Sequence, residues 1–110
     1  MNIHSLDNLF ESIEDINFLS TLTNIRELHI SVGEGIDPSP IAEIQQIQRL
    51  QMRSSKLEHL DFIEPLTKLE ELNIDSTGID SLDVLADKTS LHTLQISGNN
   101  IDSLEPIKRL

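Results

Sequence analysis

Apolar residues recur along this chain at a fixed interval. Ile25, Ile47, Leu69 and Leu91 mark a 22-residue period; three positions later come Leu28, Leu50, Leu72 and Leu94, and two beyond those Ile30, Met52, Ile74 and Ile96. The register continues through Leu57, Ile79 and Ile101, then Leu60, Leu82 and Leu104, then Ile41, Ile63, Leu85 and Ile107. Such a period marks an array of small units, none of which can bury its apolar face alone, so that neighbours must stack to build a core. The centre of each unit alternates apolar and polar residues with period 2. That predicts short strands over 27–31, 49–53, 71–75 and 93–97, lying side by side as a parallel sheet. The remainder of each unit places apolar residues every third position, which suits a 3₁₀ turn or an irregular return arm.

The last full unit carries the pattern most openly. The stretch Leu91-His-Thr-Leu94-Gln-Ile96-Ser-Gly-Asn99-Asn-Ile101-Asp-Ser-Leu104-Glu-Pro106-Ile107 resembles a leucine-rich repeat. Its 22-residue length and its ending resemble the subclass found in bacterial internalins and in a phosphatase regulatory subunit. The resemblance covers residues 25–110. It implies an α/β solenoid: a leucine-rich repeat arc with a short parallel β-sheet on the concave face and 3₁₀ or irregular convex arms. It also implies a role in binding proteins rather than in catalysis, and it brings no cofactor and no metal. One departure stands out. The family's buried Asn ladder is present only at Asn99, and Gly33, Ser55 and Thr77 occupy the equivalent places. Ser and Thr can still hydrogen-bond a turn, whereas Gly33 has no side chain to do so.

Two domains of unequal regularity follow: residues 1–24, and four 22-residue repeats over 25–110 with no C-terminal cap. Counting back from Ile25 reaches Ile3, but that register would put Asn8 in a core column and turn Leu9 and Phe10 to solvent. Leu6, Leu9, Phe10 and Ile13 instead follow helical spacing, with Ser5 as N-cap and Asp7 near the helix start. The expectation is therefore a short helix over 5–13 that caps the array, with Ile16, Leu19 and Leu22 as its return arm. An irregular first strand is the alternative. At the other end, the strand over 93–97 is left as an open edge. That edge fits either a frayed or truncated end, or pairing between two copies of the chain. In the second unit, Ser39 and Pro40 read as N-cap and first position of a helical turn over 40–46. The Gly33-Glu34-Gly35 run follows no phosphate-binding spacing and reads as a loop that needs positive φ.

Side chains between the strand Leu and Ile positions belong to the concave face, in three columns. The first is Glu27, Arg49, Glu71 and Thr93; the second His29, Gln51, Asn73 and Gln95; the third Ser31, Arg53, Asp75 and Ser97. Neighbours within a column lie about 4.8 Å apart, so Arg49 falls between two carboxylates and Arg53 beside Asp75. This is either a solvated charge lattice or a polar binding face with Arg49 and Arg53 as anchors. Beyond the strands, Glu58, Asp80 and Asp102 repeat with the same period, as do Asp61, Asp83 and Glu105. These ladders read as turn-capping acids or as a docking surface for a basic protein. Calcium would need six to eight oxygens, and no Asp-x-Asp-x-Asp-Gly loop offers them.

Composition narrows the function. The 110 residues carry 19 acids against 8 bases, a net charge of −11, and no Cys, Trp or Tyr. That balance repels phosphate backbones and anionic lipid, which argues against direct nucleic-acid or membrane binding. No thiol is present for metal or nucleophilic work. His4, His29, His59 and His92 fall in different columns, none at a metal spacing. The start lacks a basic stretch followed by an apolar run, so no secretory signal is read and a cytoplasmic location is expected. The charge is uneven: the unit from 47 to 68 is +1, the next is −5 and the last is 0. The expected function is a bacterial, non-enzymatic module that binds a partner protein through the concave face, with an inhibitory or immunity-type role against a basic effector. Two other readings remain open: an acidic mimic that blocks a nucleic-acid-binding protein, and a structural segment of a longer solenoid.

Overall fold

The computed structural model describes residues 5–9 and 24–108. Five short strands form one parallel sheet in chain order: β1 (Ser5–Leu9), β2 (Glu27–Ile30), β3 (Arg49–Gln51), β4 (Glu71–Asn73) and β5 (Thr93–Gln95). From β2 onward the register is the sequence period itself, with Leu28, Leu50, Leu72 and Leu94 side by side across the sheet. A parallel strand needs a crossover before it can pair again. Here a return arm supplies it, made of 3₁₀ turns at Ser39–Glu43, Asp61–Ile63, Asp83–Leu85 and Glu105–Ile107. The strands end two residues or fewer short of the ranges that the alternation predicts, and the chain turns directly after those ranges. Ser54 and Ser76 there have positive φ (61° and 57°).

The helix expected over 5–13 is not what residues 5–9 form. They are a strand, paired with β2 through Ser5–Glu27, Leu6–Leu28 and Leu9–Ile30. The register slips by one residue between Leu6 and Leu9, a bulge that aligns Leu9 rather than Asn8 with Ile30. The parallel edge of β2 offers backbone hydrogen bonds that a capping helix would leave unmade, and the bulge removes the mismatch that counts against a strand. The rest of the expected helix, and the return arm of Ile16, Leu19 and Leu22, lie outside the described residues. A second correction concerns Ser39. It does not cap a helix; its own N–H donates to Asp37 Oδ1 (2.9 Å), and the residue before the 3₁₀ turn is Pro38. The turn ends at Glu43 instead of running to 46.

The core is a stack of aliphatic layers between sheet and return arms. Ile25, Leu28, Ile41, Ile44, Ile47, Ile63, Leu66, Leu69, Ile74, Leu82 and Leu85 are fully buried. Phe62 is buried among them. Each such side chain contributes about 1.5–3 kcal/mol relative to exposure, and every layer depends on the units on either side. Turn polarity is satisfied in the same repeat-to-repeat manner. The buried Ser55 Oγ accepts from Val32 N–H (2.9 Å), the buried Thr77 Oγ1 donates to Ile74 O (2.8 Å), and Asn99 bridges two turns. Gly98 sits at φ +71°, and a Cβ there would stand 2.6 Å from Ser76 Oγ. A side chain there would displace that hydroxyl; the same register position is held at positive φ by Ser54 and Ser76 in the two preceding repeats.

A candidate binding groove on the concave face

The face predicted from the three columns forms a shallow groove across β2 to β5. Its lining includes Glu27, His29, Arg49, Gln51, Glu71, Asn73, Thr93 and Gln95, with Leu50 and Leu72 in its floor. Arg53 and Asp75, which share the third column, lie outside that lining. The strands hold these side chains at fixed spacing because each column is one register position of the sheet.

The columns differ in how far they are engaged. Arg49 Nε lies 2.9 Å from Glu71 Oε2, and its NH1 lies 3.8 Å from Glu27 Oε2. The His29 ring Nε2 stands 3.3 Å from Glu27 Oε1. This first column is thus an internal ion network, and Arg49 is held by it. In the second column Asn73 Nδ2 donates to Gln95 Oε1, while Asn73 Oδ1 accepts from Asp75 N–H (3.0 Å). The Gln51 amide has no partner among the described residues. In the third column the expected pairing of Arg53 with Asp75 does not form. Asp75 Oδ1 instead accepts from Ser97 N–H (2.8 Å), a stronger use of the anion than an exposed ion pair. The Arg53 guanidinium makes no ion pair among the described residues, and its backbone O accepts from Ser31 Oγ (2.8 Å).

The acidic ladders lie on the loops beyond the strands. Glu58, Asp61, Asp80, Asp83, Asp102 and Glu105 are all exposed. Asp61, Asp83 and Glu105 each open a 3₁₀ turn, where free N–H groups favour an anion. Asp61, Asp80 and Asp83 converge on a small dent with His59 and Ser81. Among the described residues no group of three or more His, Cys, Asp or Glu is placed to hold a metal ion. No helix among them is long and apolar enough to cross a membrane.

A further column escapes a reading based on apolar positions. Asp37 Oδ1 accepts from Ser39 N–H (2.9 Å), His59 Nδ1 from Asp61 N–H (3.3 Å), Ser81 Oγ from Asp83 N–H (3.2 Å) and Ser103 Oγ from Glu105 N–H (3.1 Å). All four stand one repeat apart and cap the same N–H of successive return arms. The shared signal is a small or polar acceptor two residues before each turn, carried by three residue types. The hydroxyl of Ser39 and then its N–H, both donating to the Asp37 carboxylate, lower the Asp37 pKa from its ordinary value. Lys88 escapes the same reading. It occupies the core position held by Ile44 and Leu66, is 4% exposed, and donates from Nζ to Glu64 O (2.7 Å).

A stack of parallel strands, 3₁₀ return arms and hydrogen-bonded polar turns, repeated in one constant register, defines a solenoid built from a single kind of unit. Among solved structures the chain is similar to internalin C2 from Listeria monocytogenes, with 25% identity and a TM-score of 0.88 over 98% of this chain and 48% of that one. It is also similar to an internalin (inlF) of the same organism, with 22% identity and a TM-score of 0.78 over 87% of this chain and 29% of that one. A third likeness is to a plant peptide hormone receptor, RGFR1, in complex with RGF2, at 19% identity and a TM-score of 0.67 over 91% and 18%. The fold is that of a leucine-rich repeat solenoid. The chain spans about half the length of the first of these structures and less of the others. No family model and no curated protein matches the sequence.

Proposed function

We propose that this chain is a non-enzymatic interaction module that seats a basic partner protein across the strands of its concave face. Its leucine-rich repeat neighbours support a protein-interaction module in general. The observation that carries the finer reading is the state of the groove. Among the described residues the Gln51 amide inside it and the Arg53 guanidinium beside it are unengaged, whereas Glu27 and Glu71 hold a cation of their own in Arg49. The face therefore offers free hydrogen bonding at its centre and carboxylates at its first column, set in a chain of net charge −11. A partner rich in Lys and Arg would be steered toward such a surface. An inhibitory or immunity-type role against a basic effector, in the bacterial cytoplasm, fits the same features. The test is the salt dependence of association with proteins captured from the native cell. Affinity should fall steeply from low to high salt; affinity unchanged by salt would overturn the electrostatic part of the reading.

A second reading rests on the acidic ladders. Their full exposure and the convergence of Asp61, Asp80 and Asp83 suit an acidic mimic that occupies a nucleic-acid-binding protein. Charge reversal at Asp80, Asp83, Asp102 and Glu105 should then abolish capture.

A further inference from the structure

We propose that the concave face takes an α-helix of its partner, laid across the strands, with two cations seven residues apart on Glu27 and Glu71 and an anion between them on Arg49. The inference rests on the concave-face reading above and deepens it. It gives the partner segment a secondary structure and an order of charges.

The sheet fixes the spacing. Glu27, Arg49 and Glu71 hold one register position on β2, β3 and β4, and Ser5 and Thr93, aligned on either side, carry no charge. The column therefore presents a bounded triplet of minus, plus and minus. Neighbouring strands lie about 4.8 Å apart, so the two glutamates stand about 9.6 Å apart with Arg49 midway. All three side chains are open to a partner: Arg49 is 57% exposed, Glu71 40% and Glu27 34%. Arg49 reaches one oxygen of each carboxylate, at 2.9 Å on Glu71 and 3.8 Å on Glu27. A carboxylate accepts at about four sites, so each has room for a second cation.

Charge complementarity then selects the form of the occupant, because three backbone forms could carry cations onto the triplet. A β-strand puts residues on one face at about 6.6 and 13.2 Å, and so misses the second carboxylate. A polyproline II segment returns to one face every third residue, about 9.3 Å along. That spans the two glutamates but leaves no residue between its cations to meet Arg49. An α-helix rises about 1.5 Å per residue, so positions seven apart share a face at about 10.5 Å. A residue three after the first stands about 4.5 Å along, opposite Arg49. The helix thus presents plus, minus and plus in step with the column, and long side chains absorb the remaining difference of about 1 Å. Being about 10 Å across, it also covers the second column. There the Gln51 amide, unengaged among the described residues, lies about 6.6 Å along the strand from Arg49.

An NMR titration of the isotope-labelled chain with three capped peptides tests this at about 0.15 M salt, where screening over about 8 Å lets local pairs outweigh the field of the whole chain. The first peptide is an alanine-rich helix of about 20 residues, with two lysines seven apart and a glutamate three after the first. The second replaces that glutamate with lysine. The third is proline-rich, with lysines three apart. The first should shift the amides of β2 to β4 and bind about three- to tenfold more tightly than either of the others, the scale of exchanging one exposed ion pair for a repulsion. Net charge alone orders the two helices the other way, since the chain carries −11 and the second helix is the more cationic. Arg49→Gln alters an exposed position, with circular dichroism as the check on the fold, and should reverse the order of the two helices. A preference that reflects only the helicity of the peptides would survive that variant. An order that Arg49→Gln does not reverse, tighter binding of the all-lysine helix to the wild-type chain, equal binding of the proline-rich peptide, or no binding by any of the three would overturn the proposal and leave the concave-face reading standing. Shifts confined to the acidic ladders would overturn both.

Discussion

The side-chain oxygen of Asn99 accepts a hydrogen bond from the backbone N–H of Thr77, one repeat below, at 2.8 Å. The same oxygen takes Gly78 N–H (2.8 Å) and Ile79 N–H (3.2 Å), while Nδ2 donates to Ile74 O (2.8 Å) and Ile96 O (3.0 Å). One amide therefore ties two successive turns. Asn99→Ala should destabilise the chain by about 2–3 kcal/mol, because several half-buried turn groups lose their partner at once. Asn99→Asp should also destabilise, since a carboxylate keeps the acceptor but turns an anion toward Ile74 O and Ile96 O. Urea unfolding checks both; an Asn99→Asp midpoint equal to wild type would show that the donated bonds contribute nothing.

His59 performs the turn-capping task that Ser81 and Ser103 perform in the next two repeats. His59→Ser should leave stability within about 0.5 kcal/mol of wild type, while His59→Ala should cost about 0.5–1.5 kcal/mol by removing the acceptor. Thermal unfolding of the two variants side by side separates an acceptor role from one that depends on the imidazole ring.

Lys88 places a cation in an aliphatic layer, with one backbone carbonyl at 2.7 Å and no carboxylate partner among the described residues. Replacing a buried charge with an apolar residue of similar volume is often neutral or stabilising. Ile44 and Leu66 show what this position accepts. Lys88→Leu should raise stability by about 1–2 kcal/mol, read as a higher urea midpoint with unchanged slope. A lower midpoint would mean that the cap on Glu64 O outweighs the cost of burying the ammonium.

Asp37 gives the stack a small acid sensitivity. Its folded pKa lies below its ordinary value, chiefly through the Ser39 hydroxyl and N–H. A depressed carboxyl contributes stability that is present above its unfolded pKa and lost as pH falls through the folded value, so the loss lies below about pH 4. Asp37→Asn keeps an oxygen for Ser39 N–H but does not titrate. Between pH 6 and pH 3, wild type should lose more stability than Asp37→Asn; parallel pH profiles would remove the carboxylate from the account.

The register from β2 to β5 was legible because a Leu in each strand must land in one layer, and any insertion would shift every later column. The concave columns followed from the same register, since side-chain direction alternates along a strand. What escaped the sequence has local physical causes. A one-residue bulge reconciled Leu9 with Ile30 and made a strand of Ser5–Leu9, where unbulged counting favoured a helix. Asp75 took a backbone N–H in preference to Arg53, a choice that column spacing cannot express. The capping column stayed hidden because Asp, His and Ser share only an acceptor atom. Lys88 stayed hidden because a lysine breaks the apolar column that Ile44 and Leu66 begin.

The central claim, that recognition runs through the concave strands, is tested most directly by quantitative capture from the native cell with two variants beside wild type. One carries Glu27→Lys and Glu71→Lys in the groove; the other carries the same change in charge, Asp80→Lys and Asp102→Lys, on the ladder. The account predicts that proteins held by wild type are lost from the groove variant and kept, with some weakening, by the ladder variant. Capture that survives the groove variant and vanishes with the ladder variant would contradict it and move recognition to the acidic loops.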